Sequence, residues 1–125
     1  LLGLSGFSDM RDLFKHAKAG DDSAQHAIDV WAWRARHYLG AYMAQLGGLD
    51  AVVFTGGIGE NQGDLRARVI EGQEAFGIRL DPGANSQTSG GERKISAADS
   101  EVSVWVIPTN EELQIDRLSA ECVGV

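Results

Sequence analysis

Cysteine is almost missing from this sequence. The single thiol, Cys122, leaves no partner for an intrachain disulfide and rules out a cysteine-built metal site. Basic side chains are scarce too. Eleven Lys and Arg stand against 18 Asp and Glu, for a formal net charge of −7 and a pI near 4.8. A chain so acidic gains nothing from bulk attraction to phosphate backbones or anionic lipid, which argues against nucleic-acid and membrane-surface partners. No apolar stretch approaches the roughly 20 residues that span a bilayer. Proline is used only twice.

What the chain does have is 43% hydrophobic residues in 125, enough for the packed core of one small domain. It also has 16 glycines, nearly twice the usual ~7%. With neither collagen period nor low complexity, that excess belongs in particular turns, and those turns are where function is best sought. The opening Leu1-Leu2-Gly3-Leu4-Ser5-Gly6 has no initiator Met, no basic lead and no signal-peptide core. It reads like the interior of a domain, so a piece of a longer cytoplasmic protein is expected.

Periodicity gives the elements. Ser8 caps a short helix from about Asp9 to Ala19, stopped by Gly20. Asp21, Asp22 or Ser23 opens a long one. In it Ala24, Ala27, Ile28, Trp31, Ala35, Tyr38, Leu39, Tyr42 and Leu46 keep the spacing of one buried stripe, until Gly47-Gly48 ends it. Ala51 to Phe54 reads as a buried, parallel strand. A turn from Thr55 to Asn61 follows, then a helix from about Gly63 to Ala75 with Leu65, Val69 and Phe76 facing the sheet. Ile78 to Leu80 and Lys94 to Ser96 are short strands around a polar surface loop from Asp81 to Gly91. Val102 to Ile107 is the second clear strand. It stops at Pro108, and Thr109 or Asn110 caps a last helix to about Glu121. Strands alternating with helices predict an α/β domain with a mainly parallel sheet.

Three places can carry chemistry. In Phe54-Thr-Gly-Gly-Ile-Gly-Glu-Asn61 a strand runs into three glycines and then a helix. Such a turn lets a ligand approach the backbone, at the strand end where α/β domains bind ligands, or it is only a tight connection. It departs from the Walker A loop and from the full dinucleotide fingerprint. Pro108-Thr-Asn-Glu-Glu112 also sits between strand and helix. Its carboxylates either reach a Mg²⁺ completed by water and substrate oxygens, or complement the helix dipole. In Ser8-Asp-Met-Arg-Asp12 a first-turn Arg is misplaced for the dipole, so it points at a ligand or pairs with Asp9 or Asp12. His16, His26 and His37 have no ligand spacing. Trp31 belongs to the core stripe, and Trp33 on another face is a candidate subunit contact.

Taken together, Ser5-Gly-Phe-Ser-Asp-Met-Arg-Asp-Leu13, Phe54-Thr-Gly-Gly-Ile-Gly-Glu-Asn61 and Ile107-Pro-Thr-Asn-Glu-Glu-Leu113 resemble the C-terminal portion of the acetate kinase family, in the same order and at comparable intervals. The resemblance covers essentially the whole chain, and the second and third blocks are specific as a pair. Met10 stands where some relatives carry Phe, and Gly56 where many carry Ala. The resemblance implies a partial ribonuclease-H-like domain of the actin and sugar-kinase superfamily. Residues 1–125 would be the later part of the second domain, on its nucleotide-binding side. It implies reversible phosphoryl transfer from ATP to acetate. It further implies that Asp9, Met10, Arg11, Gly57, Ile58, Gly59, Glu60 and Asn61 hold the nucleotide and that Glu111 holds Mg²⁺ or Mn²⁺. The partners it implies are ATP or ADP, a short-chain carboxylate and a second subunit.

The family's phosphate loop, its catalytic histidine and aspartate, and the arginines around the transferring phosphoryl group match no residue of this chain, so these 125 residues alone are expected to be inactive. An isolated piece is also expected to expose apolar surface and an open sheet edge. The alternatives are a propionate or butyrate kinase of the same family, or a non-catalytic nucleotide-binding remnant. A Rossmann-type domain is disfavoured, because the glycine pattern departs from the dinucleotide fingerprint.

Overall fold

A computed structural model describes residues 1–87 and 90–123, apart from the Glu111 side chain. A short turn of helix, α1 (Leu2–Ser5), precedes α2 (Met10–Lys18). Asp9, rather than Ser8, caps α2: its carboxylate accepts the Arg11 N–H at 2.8 Å. Asp21 opens α3 (Asp22–Leu46) by accepting from the amides of Ser23 and Ala24, and Gly47 closes it in the left-handed region at φ +73°.

The expected stripe of α3 is buried for only half its length. Ala24, Ala27, Ile28 and Ala32 are buried; Trp31, Ala35 and Leu39 pack at the edge of the core. Tyr38, Tyr42 and Leu46 stand exposed, Leu46 at 72%. The helix is about 37 Å long at 1.5 Å per residue; in its later turns Leu39 and Met43 still pack against the core, while Tyr38, Tyr42 and Leu46 face solvent. An aromatic row takes the place of a core there, with Tyr38 stacked on Tyr42 and the Arg34 guanidinium over the Tyr38 ring.

Strand β1 (Ala51–Phe54) leads into α4 (Gly56–Asn61) and α5 (Gly63–Ile70). The predicted turn is therefore itself helical, and the helix after it ends at Ile70 rather than Ala75. Gly72 at φ +76° breaks it, a separate 3₁₀ turn spans Glu74–Phe76, and Phe76 is exposed rather than facing the sheet. Leu65 and Val69 are buried as expected. The loop after Leu80 contains one further helical turn, α6 (Pro82–Ser86), capped by Asp81. Then come β2 (Arg93–Lys94), β3 (Ser103–Val106) and α7 (Glu111–Val123).

The sheet has order β1-β3-β2 and is mixed, where a mainly parallel one was expected. β1 and β3 run parallel from Ala51↔Ser103 to Phe54↔Val106, and β2 is antiparallel to β3. The short connection from β2 to β3 permits antiparallel return, whereas parallel strands need a crossover such as the one through α4 to α6. Ile78 and Leu80 make single bridges, to Val102 and Ser96, instead of a full strand. Val104 and Val106 point into one core with Ile78, Ile95, Leu13, Ile28 and Leu65. β1 is not the buried strand expected. Its residues alternate, with Val52 and Phe54 half-buried and Ala51 and Val53 exposed, because no described residue covers its other face.

The half-buried stripe gives a test. Ile28→Ala, at a fully buried site, should cost about 2–5 kcal/mol in urea unfolding, and Tyr42→Ala no more than about 0.5 kcal/mol. Similar costs for the two would mean that the end of α3 is covered in solution.

Candidate functional site

The sheet brings two of the three sequence blocks to one rim. β1 and β3 end side by side in the same direction, and the Ile107 N–H donates to the Phe54 carbonyl at 2.9 Å. The glycine turn and the Pro108–Asn110 segment therefore leave the sheet together. Glu60 then ties them: its Oε1 accepts from the Thr109 N–H at 2.9 Å and from the Thr109 hydroxyl at 3.2 Å. Asn110 caps α7 by accepting from the Leu113 N–H at 3.0 Å.

The three glycines of the turn play different parts. Gly56 lies at φ +72°, a conformation that side chains rarely adopt. At Gly57 an added Cβ would meet only open space. At Gly59 it would meet the Phe54 carbonyl carbon at 3.2 Å, so this glycine lets α4 pack against β1. Gly57, Ile58 and Asn61 face an open recess of about 550 Å³ whose other wall is Ser8, Asp9, Met10 and Arg11. The Ser8–Arg11 segment thus meets the glycine turn across a cleft that the Pro108–Asn110 segment does not line. Gly57 also lines a second recess of about 420 Å³ with Gly56, Thr109, Asn110 and Glu112. Of the nucleotide set expected from sequence, Asp9, Met10, Arg11, Gly57, Ile58 and Asn61 share the first recess. Gly59 and Glu60 do not line it: one packs on β1 and the other holds Thr109. Met10 is buried in the core and forms the floor, while Asn61 donates from Nδ2 to the Gly57 carbonyl at 2.9 Å.

Arg66 is a residue the sequence reading missed. It is 2% exposed, and its guanidinium donates to four oxygens: Gly59 O at 2.7 Å, Glu60 O at 3.0 Å, Asn85 Oδ1 at 2.8 Å and Asn85 O at 2.7 Å. Burial lowers its pKa, and the nearby charge of Arg93 adds to the effect. The signal was available. Arg66 sits three and four residues before Val69 and Ile70, inside the apolar face of α5, where a cation has to find oxygens.

No group of three or more His, Cys, Asp or Glu that could hold a metal occurs among the described residues. Glu111, the expected metal ligand, begins α7 beside Asn110, but its side chain lies outside the described residues. The exposed Glu112 carboxylate lines the second recess. That donor set does not make a protein cage. It fits an ion held largely by water and ligand oxygens, the usual habit of Mg²⁺.

Arg11 and Asp9 pair with each other. Arg11 donates to both carboxylate oxygens, at 3.1 and 2.7 Å. The guanidinium hydrogen bond, followed by the backbone cap, holds the Asp9 pKa down at about 2, from 3.8. A folded value below the unfolded one means that the stability from Asp9 is complete above about pH 4 and fades as pH falls toward 2. In Arg11→Met the carboxyl-carbon NMR titration of Asp9 should move up from about 2 toward 3.8, stopping short because the amide cap remains. An unmoved midpoint would show that Arg11 is not paired with Asp9 in solution.

The Acetokinase family model matches residues 1–117. An acetate kinase of Leifsonia xyli subsp. xyli is 52% identical over 124 residues, spanning 99% of this chain and 31% of that protein. The crystal structure of Porphyromonas gingivalis acetate kinase superposes with a TM-score of 0.86 at 42% identity, over 93% of this chain and 29% of the other. A propionate kinase from Francisella tularensis gives 0.81 at 38% identity, over 91% and 29%. The chain therefore spans about a third of the length of the relatives it matches, and over that span it belongs to the acetokinase family.

Proposed function

We propose that this chain is the nucleotide-binding part of an acetate kinase, which moves the γ-phosphoryl group of ATP reversibly to acetate. The observation that carries the reading is the shared rim: two loops leave parallel strands together, and the Asp9–Arg11 segment faces one of them, the glycine turn, across an open recess. Family membership supplies the reaction. In this reading the fold is the later part of a ribonuclease-H-like domain, the second of the enzyme. Gly57, Ile58 and Asn61 receive the nucleoside, with Gly59 and Glu60 fixing the loop beneath it, and Asp9, Met10 and Arg11 close the other side. The smooth surface at Gly57 admits a flat ring against the backbone. The Arg11 guanidinium, 81% exposed, can turn from Asp9 to a phosphate oxygen.

Phosphoryl transfer depends on positioning and on charge stabilisation. This chain contributes positioning at the nucleotide end. Mg²⁺, when bound, neutralises phosphate charge, and Glu111 is its protein ligand in this reading. Mn²⁺ suits the same oxygen donors. The working protein is a cytoplasmic homodimer in which the part of α3 whose linked rings, Trp33, His37, Tyr38 and Tyr42, wind half around the helix meets a partner. The exposure of those rings supports the dimer, and no described helix is long and apolar enough to cross a membrane. The likeness to a propionate kinase favours propionate as a second acceptor.

Calorimetric titration with ATP tests the reading. The chain should bind ATP saturably. Gly57→Val, which fills the recess without touching protein, should weaken binding at least tenfold while the melting temperature holds. Gly59→Val should instead unfold the turn against Phe54. A folded chain with no affinity for adenine nucleotides would end the proposal. In the same assay Glu111→Ala should remove most of the Mg²⁺ enhancement of ATP binding and Glu112→Ala much less. Equal effects would remove Glu111 from the metal.

A further inference from the structure

We infer that Arg66 is a positioning residue that sets the nucleotide recess from behind, an inference that rests on the nucleotide reading above. Arg66 lies outside the recess and touches none of its open wall. Its guanidinium reaches the end of α4, taking the carbonyls of Gly59 and Glu60, and on its other side takes both the main-chain and side-chain oxygens of Asn85 in α6. Asn85 returns the tie by donating from Nδ2 to the Gly63 carbonyl at 2.9 Å, and an added Cβ at Gly63 would lie 3.0 Å from the Asn85 carbonyl. The last turn of α4, the first turn of α5 and α6 thus close around one buried cation.

Among the described residues, the hydrogen-bond partners of Arg66 are all neutral oxygens. A buried cation without a carboxylate is expensive, and Arg93 adds repulsion while donating to the same Glu60 carbonyl at 3.0 Å. An apolar side chain would fill the space at lower cost. What only a planar fork does is gather carbonyl groups from two separate segments at fixed angles. α4 needs that help. It has six residues, three of them glycine, and no side-chain cap at its N-terminus, so its own hydrogen bonds hold it weakly. The Arg66 fork supplies donors to the carbonyls at its C-terminal end, where a helix leaves them open. Gly57, Ile58 and Asn61 stand on that short helix, so Arg66 sets their position relative to Asp9 and Arg11.

The test uses the 125-residue chain, with hydrogen exchange and ATP titration as readouts. Arg66→Met should raise amide exchange across Gly56–Asn61 and weaken ATP binding about tenfold, the worth of one charged hydrogen bond. Arg66→Lys should recover only part of both, since an ammonium cannot span the four oxygens. Leu65→Ala, a buried neighbour outside this network, is the control: it should lower the melting temperature while ATP affinity holds. If Arg66→Met stays folded with unchanged exchange in α4 and unchanged affinity, the inference falls. It also falls if Leu65→Ala weakens ATP binding as much as Arg66→Met, because general destabilisation then explains both. If the unaltered chain binds no ATP, the nucleotide reading fails, and exchange in α4 alone decides whether Arg66 acts as a clamp. Should Arg66→Met fail to fold, Asn85→Ala removes half the clamp and is read in the same way.

Discussion

The parallel register of β1 with β3 is the constraint on which the site depends. Four residues of pairing, finished by the Ile107 amide on the Phe54 carbonyl, fix where two separate stretches leave the sheet. The stretches are about fifty residues apart in sequence, so no local rule brings them together. A one-residue slip would turn Val104 and Val106 from the core to the uncovered face, which burial of those side chains forbids. The side-chain pattern that fills the core therefore also aligns Gly56–Asn61 with Pro108–Asn110. The Glu60 to Thr109 hydrogen bonds add local stiffness to an alignment the sheet has already set.

The same sheet explains the surfaces left uncovered. Packing is confined to one side, where α2, α3 and α5 meet Val104, Val106, Ile78 and Ile95. On the other side Val53 is 48% exposed, and elsewhere α7 carries Leu113, Ile115, Leu118 and Val123 in solvent. Isolated apolar side chains on a surface are ordinary, but a strand face, a helix and the end of α3 exposed together are not. At roughly 25 cal/mol per Å², covering such faces is a substantial driving force. The relatives contain about three times this length of chain, so a chain of their size has the material to cover them.

Legibility in the sequence followed the range of the interaction. Asp21, Gly20 and Gly47 act within a turn of the helices they bound, and their positions were readable. The strand at Val102–Ile107 and the run at Ala51–Phe54 were readable as strands. Whether both faces of β1 are covered depends on which other elements are present, and an apolar run alone cannot tell. The stripe of α3 shows the same limit. Periodicity orients Tyr38, Tyr42 and Leu46 toward the same side as Ile28, but it does not say how far the neighbouring elements reach. At the site, residue types unusual in their positions marked three stretches, and the individual residues came from the family resemblance. The division of work among them was not, since Gly56, Gly57 and Gly59 differ only in φ and in what lies within 3–4 Å.

Arg66 joins these themes. Glycine-rich backbone suits a surface that a ligand must approach, because no Cβ intrudes, yet the same backbone orders itself poorly. The free energy that holds it must come from outside the turn. β1 supports α4 through Gly59 against Phe54, Thr109 holds it through the Glu60 carboxylate, and Arg66 holds its final carbonyls. Three supports hold the helix, and all of them leave the exposed face of Gly57 clear. A bare surface on a short glycine helix can stay in place only when everything that fixes it acts from behind.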